Sequence, residues 1–171
     1  MAFNDWSITK ELLDECRKIL PSGTILELGS GGGTEELAKH YSVISVESDA
    51  HWMGMYNSNY LSVPLIEYSQ EIFPEGFSFF GGNDVHWYNP IILKEKLEQI
   101  EGKYDLVLVD GPKGYRGGMI DCMHLFRNDV PYIFDDTFDK YHRELFNMVA
   151  KKLGKEGRIV SIGSKEFGVI I

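Results

Sequence analysis

The chain has 171 residues, 43% of them hydrophobic and 25% charged, which predicts one folded domain over residues 1–171 with a sizeable core. Its 26 acidic and 17 basic residues give a formal net charge of −9, without a basic block to follow a phosphate backbone or an anionic membrane. Nucleic acid and membrane are therefore not expected as partners, and the lack of a signal-peptide pattern or a membrane-length apolar stretch favours a cytoplasmic location.

The beginning of the chain has the apolar spacing of a helix. From Ile8 onward the apolar side chains lie on one helical face, and Ser7 can cap this helix. The helix, within residues 1–22, is expected to pack on the domain. Cys16 lies in this pattern and Cys122 in a later helical one, so both are expected to be buried free thiols.

The rest of the chain alternates between strand and helix patterns. In the first half the patterns predict a strand at TILEL, a helix capped by Thr34 that runs to about Tyr41, a strand at VISVE and a helix from about Ala50. A strand at YLSVPLIEY follows, which Pro64 marks as an edge or irregular strand. In the second half they predict a helix opened by Pro90, strands at YDLVLVD and PYIFDD, a helix from about Phe138 to Leu153, and a closing hairpin in RIVSIGSKEFGVII. This order predicts an α/β fold, a doubly wound and mostly parallel Rossmann-like sheet with an antiparallel last strand.

A glycine-rich segment, ILELGSGGGTEEL, joins the first predicted strand to the second helix. Such segments usually hold a nucleotide phosphate at the start of a helix. Here Thr34 stands where a dinucleotide motif requires glycine or alanine. In addition, the acids Glu27, Glu35 and Glu36 would repel a pyrophosphate. The segment therefore favours a positively charged ligand.

Acidic residues end four of the predicted parallel strands. They are Glu27, Glu47, Asp110 and the pair Asp135 and Asp136. In a doubly wound sheet the carboxyl ends of the strands meet at one edge, where ligands bind near the switch in strand order. The alternative is that these acids only solvate strand ends and cap helices. S-adenosylmethionine suits such a site, because it carries a sulfonium and an ammonium group and no phosphate. Glu47, twenty residues after Glu27, has the spacing of a ribose-binding acid.

Two of these motifs resemble those of a known enzyme family. ELGSGGG is similar to the E/D-x-G-x-G-x-G motif of class I S-adenosylmethionine-dependent methyltransferases, VISVESD to their acidic second motif, and the closing hairpin to their antiparallel last strand. The resemblance covers nearly the whole chain. It implies that Glu27 and Gly29 face the methionine end of the cofactor. It also implies that Gly31 and Gly33 allow the cofactor to approach closely, and that Glu47 binds the ribose hydroxyls.

Other candidate cofactor-binding residues lie beside these motifs or further along the chain. Ser30, Thr34 and Ser48 belong to the two motifs. Trp87 could stack on adenine, although aromatic residues more often serve packing alone. Asp84 is the alternative adenine partner if the third strand is FSFF.

A narrower resemblance concerns the second half of the chain. YDLVLVDGPKGYRGG followed by PYIFDD resembles the metal-dependent catechol-type O-methyltransferases, in which Asp110, Lys113, Asp135 and Asp136 would take the places of the conserved acids and lysine. The chain departs from that pattern in Gly-Pro between Asp110 and Lys113, and in Asp136 where asparagine is usual. VPLIEY, HWYNP, VDGPKGYRG and IFDDT are also similar to a group that includes plant polysaccharide O-methyltransferases, which implies a sugar or uronic-acid hydroxyl as acceptor.

The three aspartates give a separate reason to expect a metal. Asp110, Asp135 and Asp136 repel one another unless one is protonated or a cation lies between them, and oxygen ligands suit magnesium, calcium or manganese. A bound metal would lower the pKa of a hydroxyl nucleophile. The alternative is that the carboxylates only form hydrogen bonds. Asp110, Lys113 and Asp136 are the candidate catalytic residues, with Lys113 either a proton acceptor or an exposed loop lysine.

These features predict an enzyme that moves a methyl group from S-adenosylmethionine to a small-molecule hydroxyl, with a magnesium or manganese ion as a further candidate cofactor. A nicotinamide-dependent oxidoreductase and a non-catalytic S-adenosylmethionine-binding module are the alternatives. Tyr115 and Arg116 are expected on the acceptor side, where Arg116 could bind an anionic substrate or be solvated. His142 is expected on a helix surface. The pattern does not predict an oligomeric state.

Overall fold

The computed structural model describes residues 8–67, 86–114 and 116–171. In chain order, its helices and strands are α1 (Lys10–Ile19), β1 (Thr24–Leu28), α2 (Gly32–Leu37), β2 (Ser42–Glu47), β3 (Asn59–Ser62), β4 (Leu65–Glu67), β5 (His86–Tyr88), α3 (Pro90–Gln99), β6 (Leu106–Val109), α4 (Met119–Cys122), β7 (Tyr132–Phe134), α5 (Lys140–Leu153), β8 (Gly157–Ile162) and β9 (Lys165–Ile170). A 3-10 turn follows α4. Within the described ranges, none of the helices is long and apolar enough to cross a membrane.

Seven of the described strands form one sheet in the order β3-β2-β1-β6-β7-β9-β8. The five strands from β3 to β7 in this order are parallel, β9 runs antiparallel to β7, and β8 runs antiparallel to β9. The predicted fold class, a mostly parallel Rossmann-like sheet with an antiparallel strand at the end of the chain, is confirmed.

Helices cover both faces of this sheet. The sequence of β6 is apolar throughout because its side chains are buried on both faces. Val107 and Val109 pack on the face that carries α3, α4 and α5, whereas Leu106 and Leu108 pack on the face that carries α1 and α2. All four side chains are fully buried. A strand that is buried on both faces has a continuous hydrophobic sequence, and this pattern predicts β6 from the sequence.

The first helix begins two residues later than the sequence predicts. Thr9, not Ser7, is the N-cap, because its Oγ1 accepts a hydrogen bond from the Leu12 amide at 3.1 Å. Ser7 lies outside the described residues. The helix buries Leu12 and Cys16 against the sheet, and its buried Glu15 forms an ion pair with Arg158 of β8.

The region around β2 departs from prediction in two helices. Gly31 is the N-cap of α2, which ends at Leu37 rather than near Tyr41, so Thr34 lies inside the first turn instead of capping it. The helix predicted from Ala50 does not form, and turns connect β2 to β3. Gly54 within these turns has a φ of +77°, a left-handed conformation that a right-handed helix cannot contain.

The third predicted strand, YLSVPLIEY, divides at Pro64. Its first part is β3, at the edge of the main sheet as the proline indicated, whereas β4 pairs with β5 in a separate antiparallel ribbon. Trp87 and Tyr88 belong to β5 of this ribbon. The Pro64 carbonyl accepts a hydrogen bond from the Asn89 amide at 2.8 Å, which closes the ribbon beside α3.

The remaining elements match the prediction closely. Asn89 caps α3, with Pro90 in its first turn, and Asp139 caps α5, which begins at Lys140 rather than near Phe138. The predicted closing hairpin is formed by β8 and β9, and Gly163 has a φ of +58° in the turn between them.

An aromatic ring on α5 packs the helix closely against this hairpin. Phe146 is buried and lies over Gly157 of β8 and Gly168 of β9. A Cβ atom at either glycine would come 2.5 Å from a ring atom of Phe146, so the helix reaches the strands only because both glycines lack side chains. This packing holds α5 in the layer that borders the end of β7.

Candidate active site

The strand order brings the predicted acidic residues to one edge of the sheet. β1 lies between β2 and β6, so the chain builds the sheet outward from β1 to β2 and β3 and then returns to build β6 and β7 on the other side. The carboxyl ends of β2, β1, β6 and β7 are thus neighbours, and the strand order switches between β1 and β6. Ligands of doubly wound folds bind at this position.

The first glycine of the loop after β1 serves a contact between two loops. Gly29 has a φ of +87°, and its amide donates to the Val46 carbonyl at 2.9 Å. A Cβ atom on Gly29 would lie 2.7 Å from Gly111 Cα and 2.8 Å from Gly111 N. The loop after β1 therefore touches the loop after β6 backbone to backbone, and both positions need glycine. The predicted approach of Gly29 to a cofactor stays a prediction.

The other predicted glycines have different surroundings. A Cβ atom on Gly33 would lie 2.9 Å from Ile8 Cγ2 and 3.1 Å from Ile8 N, so packing of the segment before α1 already explains this glycine. Gly31 has a φ of −167°, an extended conformation that any residue adopts. Its amide donates to Thr34 Oγ1 at 3.0 Å. The close approach of a cofactor at these two positions remains a prediction.

Glu47 at the end of β2 holds the glycine-rich loop. Its Oε2 accepts a hydrogen bond from the Ser30 amide at 2.8 Å, and its Oε1 accepts from the amides of Ser48 and Asp49 at 2.6 and 2.7 Å. The side chain is buried. Because a carboxylate has about four lone-pair positions, Oε2 retains acceptor capacity for a ligand hydroxyl. Glu47 thus joins the loop to β2 and keeps one oxygen partly free.

Glu27 is fully buried under the same loop. Its Oε2 accepts hydrogen bonds from Thr34 Oγ1 and Ser45 Oγ, both at 2.8 Å. Its Oε1 is buried and has no hydrogen-bond partner among the described residues. Burial raises the pKa of Glu27 to about 8, against the two hydrogen bonds, which lower it. The side chain of Glu27 is therefore mostly protonated at neutral pH.

A chain of hydroxyl groups extends from Glu27 to the neighbouring strands. Thr34 Oγ1 lies 3.1 Å from Ser30 Oγ, which lies 3.1 Å from the Tyr60 hydroxyl of β3. On the other side, Ser45 Oγ lies 2.7 Å from Ser58 Oγ. Sequence reasoning missed Ser45, Ser58 and Tyr60. The signal for Ser45 was a lone polar residue inside a buried strand, which needs a polar partner.

Replacing Glu27 by glutamine is expected to flatten the pH dependence of stability. The folded protein keeps the Glu27 proton up to about pH 8, whereas the ordinary value is 4.5. Between these values the folded state binds more protons than the unfolded chain, so the free energy of unfolding falls as pH rises. Urea unfolding at about pH 5 and pH 8 should show a fall that is smaller in Glu27→Gln by on the order of 4 kcal/mol.

The control for this measurement is Glu98→Gln, which removes an exposed carboxylate of α3. This variant should keep the pH dependence of the unchanged protein. An equal dependence in Glu27→Gln and the unchanged protein would show that Glu27 does not titrate between the two pH values.

Three carboxylates meet at the ends of β6 and β7. Asp110, Asp135 and Asp136 each offer an oxygen, and these oxygens all lie within 4.8 Å of one another. Asp136 has a φ of +61°, and its amide donates to Asp135 Oδ1 at 2.9 Å. Burial, followed by the charges of Asp110 and Asp136, raises the pKa of Asp135 to about 7. The convergence of these three residues was predicted from the sequence.

A buried arginine accompanies the three carboxylates. Arg116 is only 5% exposed, and its Nη2 lies 3.3 Å from Asp136 Oδ2 and 3.9 Å from Asp110 Oδ1. Its Nη1 donates to the carbonyls of Val109 and Asp135 at 3.4 and 3.3 Å. The guanidinium therefore lies inside the protein, so the solvated arginine considered from the sequence is wrong, whereas binding of an anionic substrate stays a prediction.

Two other predicted residues of this region lie around the cluster. Lys113 is exposed on the loop after β6. His142 is partly buried on α5, with Nε2 3.2 Å from the Gly114 carbonyl oxygen, and burial followed by the charge of Arg116 lowers its pKa. His142 thus contacts the loop that carries Lys113, which is not the plain surface position expected for it. Tyr115 lies outside the described residues.

Trp87 does not have an open ring face. It is fully buried in β5, and Gly118 at the start of α4 lies so close to its ring that a Cβ atom there would overlap the indole. This placement argues against the stacking of adenine on Trp87 and fits the alternative, packing alone. Asp84, the other candidate for adenine, lies outside the described residues.

No protein-family model and no curated protein matches the chain. Among solved structures, a Staphylococcus aureus protein assigned as a caffeoyl-CoA O-methyltransferase matches with a TM-score of 0.57 and 12% identity, over 98% of this chain and 86% of that one. Precorrin-6y C5,15-methyltransferase from Geobacter metallireducens GS-15 matches with a TM-score of 0.57 and 10% identity, over 99% and 91%. Precorrin 8w decarboxylase from Methanobacterium thermoautotrophicum matches with a TM-score of 0.54 and 13% identity, over 99% and 98%.

These structures share their fold with the chain, and that fold is the class I methyltransferase fold. Their names include a decarboxylase beside two methyltransferases, and identities of 10 to 13% do not transfer a reaction. Because one fold hosts several reactions, the function has to be argued from the residues of the site.

Proposed function

We propose that the protein is an enzyme that transfers a methyl group from S-adenosylmethionine to a hydroxyl group of a small molecule. The observation that carries this proposal is the pair of buried acids, Glu27 and Glu47, that brackets the glycine-rich loop at the switch in strand order. Glu47 holds the loop through the Ser30 amide, 2.8 Å from its Oε2. Such a site suits a nucleoside whose hydroxyl and ammonium groups can form hydrogen bonds with these two acids.

The residues present fit S-adenosylmethionine. Glu27 Oε1 is a buried polar atom without a partner among the described residues, and burying such an atom unpaired is costly. Glu47 Oε2 keeps acceptor capacity for a ribose hydroxyl. We assign Glu47 to the ribose and Glu27, through Oε1, to the methionine end. When bound, the cofactor supplies an electrophilic methyl group on a sulfonium.

The acceptor side of the site is the carboxylate cluster. In the proposed reaction the acceptor oxygen forms a bond to the methyl carbon while the bond from that carbon to sulfur breaks, and the hydroxyl proton is lost. We assign the role of proton acceptor to Asp110 and Asp136, whose carboxylates lie in the cluster, with Lys113 on the neighbouring loop as the alternative. The exposed ring of Phe138, two residues after Asp136, offers an apolar surface for the acceptor. A sugar or uronic-acid hydroxyl remains the acceptor that the sequence resemblance implies.

A divalent cation fits the cluster only in part. The oxygens of Asp110, Asp135 and Asp136 are the type of ligand that magnesium or manganese binds, and they lie within 4.8 Å of one another. However, Arg116 already places a positive charge 3.3 Å from Asp136 Oδ2. Arg116 therefore supplies part of the positive charge for which a metal was predicted. The proposed reaction includes no step at a metal.

The alternatives are a nicotinamide-dependent oxidoreductase and a non-catalytic module that binds S-adenosylmethionine. Thr34, where a dinucleotide motif has glycine or alanine, speaks against the nicotinamide cofactor. A non-catalytic module would bind the cofactor but would not methylate any acceptor, so only an activity measurement separates it from the enzyme.

A thermal-shift comparison tests the proposed cofactor. S-adenosylhomocysteine, the product of methyl transfer, should stabilise the protein by about 2.7 kcal/mol at a hundredfold excess over its Kd, whereas NAD should give no shift. Detection of released S-adenosylhomocysteine with a panel of polyols, uronic acids and catechols then tests turnover. A shift with NAD and none with S-adenosylhomocysteine would contradict the proposal.

A further inference from the structure

The charge balance of the carboxylate cluster depends on a residue that sequence motifs do not reveal. Asp110, Asp135 and Asp136 bring up to three negative charges to the ends of two adjacent strands. Unpaired carboxylates at such short distances repel one another strongly in a partly buried site. Arg116, itself 5% exposed, is a cation that contacts two of these carboxylates, those of Asp110 and Asp136.

The guanidinium of Arg116 is fixed from several directions. Its Nε donates to the Pro112 carbonyl at 3.4 Å, and its Nη1 donates to the carbonyls of Val109 and Asp135 at the ends of β6 and β7. Its Nη2 then faces the carboxylates of Asp136 and Asp110. Since the planar guanidinium has five N–H donors in a rigid arrangement, these bonds determine both its position and its orientation.

We infer that Arg116 is the resident cation of this cluster: it positions Asp110 and Asp136 for the acceptor and excludes a divalent metal ion from between the carboxylates. A metal ion that ligated Asp136 Oδ2 and Asp110 Oδ1 would stand close to a guanidinium that lies 3.3 and 3.9 Å from these atoms. Like charges at that separation repel, and the carbonyl bonds of Arg116 keep it from withdrawing. The function of the positioned carboxylates rests on the proposed methyl transfer, whereas the exclusion of metal does not.

Manganese binding tests the inference, because it measures the cation site directly and does not require an acceptor. Mn²⁺ is added to the unchanged protein, to Arg116→Gln and to the double variant Arg116→Gln/Asp110→Asn. The electron paramagnetic resonance signal gives the concentration of free Mn²⁺ at each step. Arg127→Gln is the matched control. Arg127 also donates to two backbone carbonyls, those of Gly102 and Tyr104, and pairs with Asp129, but it lies away from the cluster.

The unchanged protein and Arg127→Gln should show no manganese site with a Kd below about 1 mM. Arg116→Gln should gain one site per chain, about tenfold tighter or more, because the carboxylates lose their competitor, and the double variant should lose it again. This gain separates a charge role from a merely structural one, since loss of structure alone does not create a metal site.

Two results would overturn the inference. One is a manganese site in the unchanged protein that disappears in Asp110→Asn, and the other is a folded Arg116→Gln that binds manganese no better than the unchanged protein. If Arg116→Gln does not fold, manganese binding is compared between the unchanged protein and Asp110→Asn. The inference is supported if the unchanged protein has no manganese site that Asp110→Asn lacks. Stabilisation by S-adenosylhomocysteine, measured in the same samples, tests the proposed function separately.

Discussion

Replacement of Gly29 by alanine is expected to lower the free energy of unfolding by about 2 to 6 kcal/mol, a large part of the stability of a small domain. Two effects add. A φ of +87° is strained for any residue with a side chain, and the new Cβ atom would lie 2.7 Å from Gly111 Cα. Backbone atoms cannot rotate away as a flexible side chain can, so the loops after β1 and β6 would have to separate. Urea unfolding followed by circular dichroism gives the difference.

Gly54→Ala is the matched control for this substitution. Gly54 also has a positive φ, +77°, but a Cβ atom there would meet nothing within 4 Å. The free energy of unfolding of Gly54→Ala should therefore fall only by the contribution of backbone strain, about 1 kcal/mol. Gly111→Ala should resemble Gly29→Ala, because its Cβ atom would lie 2.6 Å from Gly29 Cα. If Gly29→Ala and Gly54→Ala lost the same stability, the backbone contact between the two loops would be wrong.

Substitutions on the two sides of the site should separate cofactor binding from turnover. Asp110→Asn is expected to lower kcat by about 100-fold or more, because the carboxylate loses its ability to accept a proton, and to leave S-adenosylhomocysteine binding nearly unchanged. Glu47→Ala is expected to weaken that binding by about 1.5 to 3 kcal/mol, because ribose hydroxyls and the Ser30 amide lose a charged acceptor. Calorimetry measures the affinities, and a cofactor-product assay measures kcat once an acceptor is found.

Asp136→Asn should behave like Asp110→Asn in this comparison, and Glu98→Gln on the exposed face of α3 should leave both quantities unchanged. An equal loss of cofactor affinity in Glu47→Ala, Asp110→Asn and Asp136→Asn would mean that the division into a cofactor side and an acceptor side is wrong.

The sheet and the position of the site could be predicted from the sequence because both follow from local patterns. Strands buried on two faces, such as β6, are continuous apolar runs, and the acids Glu27, Glu47 and Asp110 come directly at or after such runs. Parallel strands then bring their carboxyl ends together without further information. The convergence of acids at one edge is thus a consequence of strand direction, which the alternation of helices and strands already indicates.

The partners of these acids could not be predicted, because they depend on contacts between distant segments. Arg116 stands in a loop sequence where a solvated arginine is the usual outcome, and its burial depends on carbonyls of Val109 and Asp135 that only the folded sheet brings together. The glycine motif shows the same limit. Glycines in a loop indicate close approach, but not whether the approaching group is a ligand, as predicted for Gly33, or another part of the chain, as with Ile8.

The order of the last strands has a consequence for the folding of the protein. β9 follows β8 in the chain but lies between β7 and β8 in the sheet, and β8 pairs with no other described strand. Until β9 docks during folding, β8 has no partner, β7 keeps an unpaired edge, and Phe146 lacks the strand that covers one side of its ring. A partly folded chain at this stage exposes strand edges and an aromatic surface together, which is the kind of surface that chaperones recognise and that aggregates when they are absent.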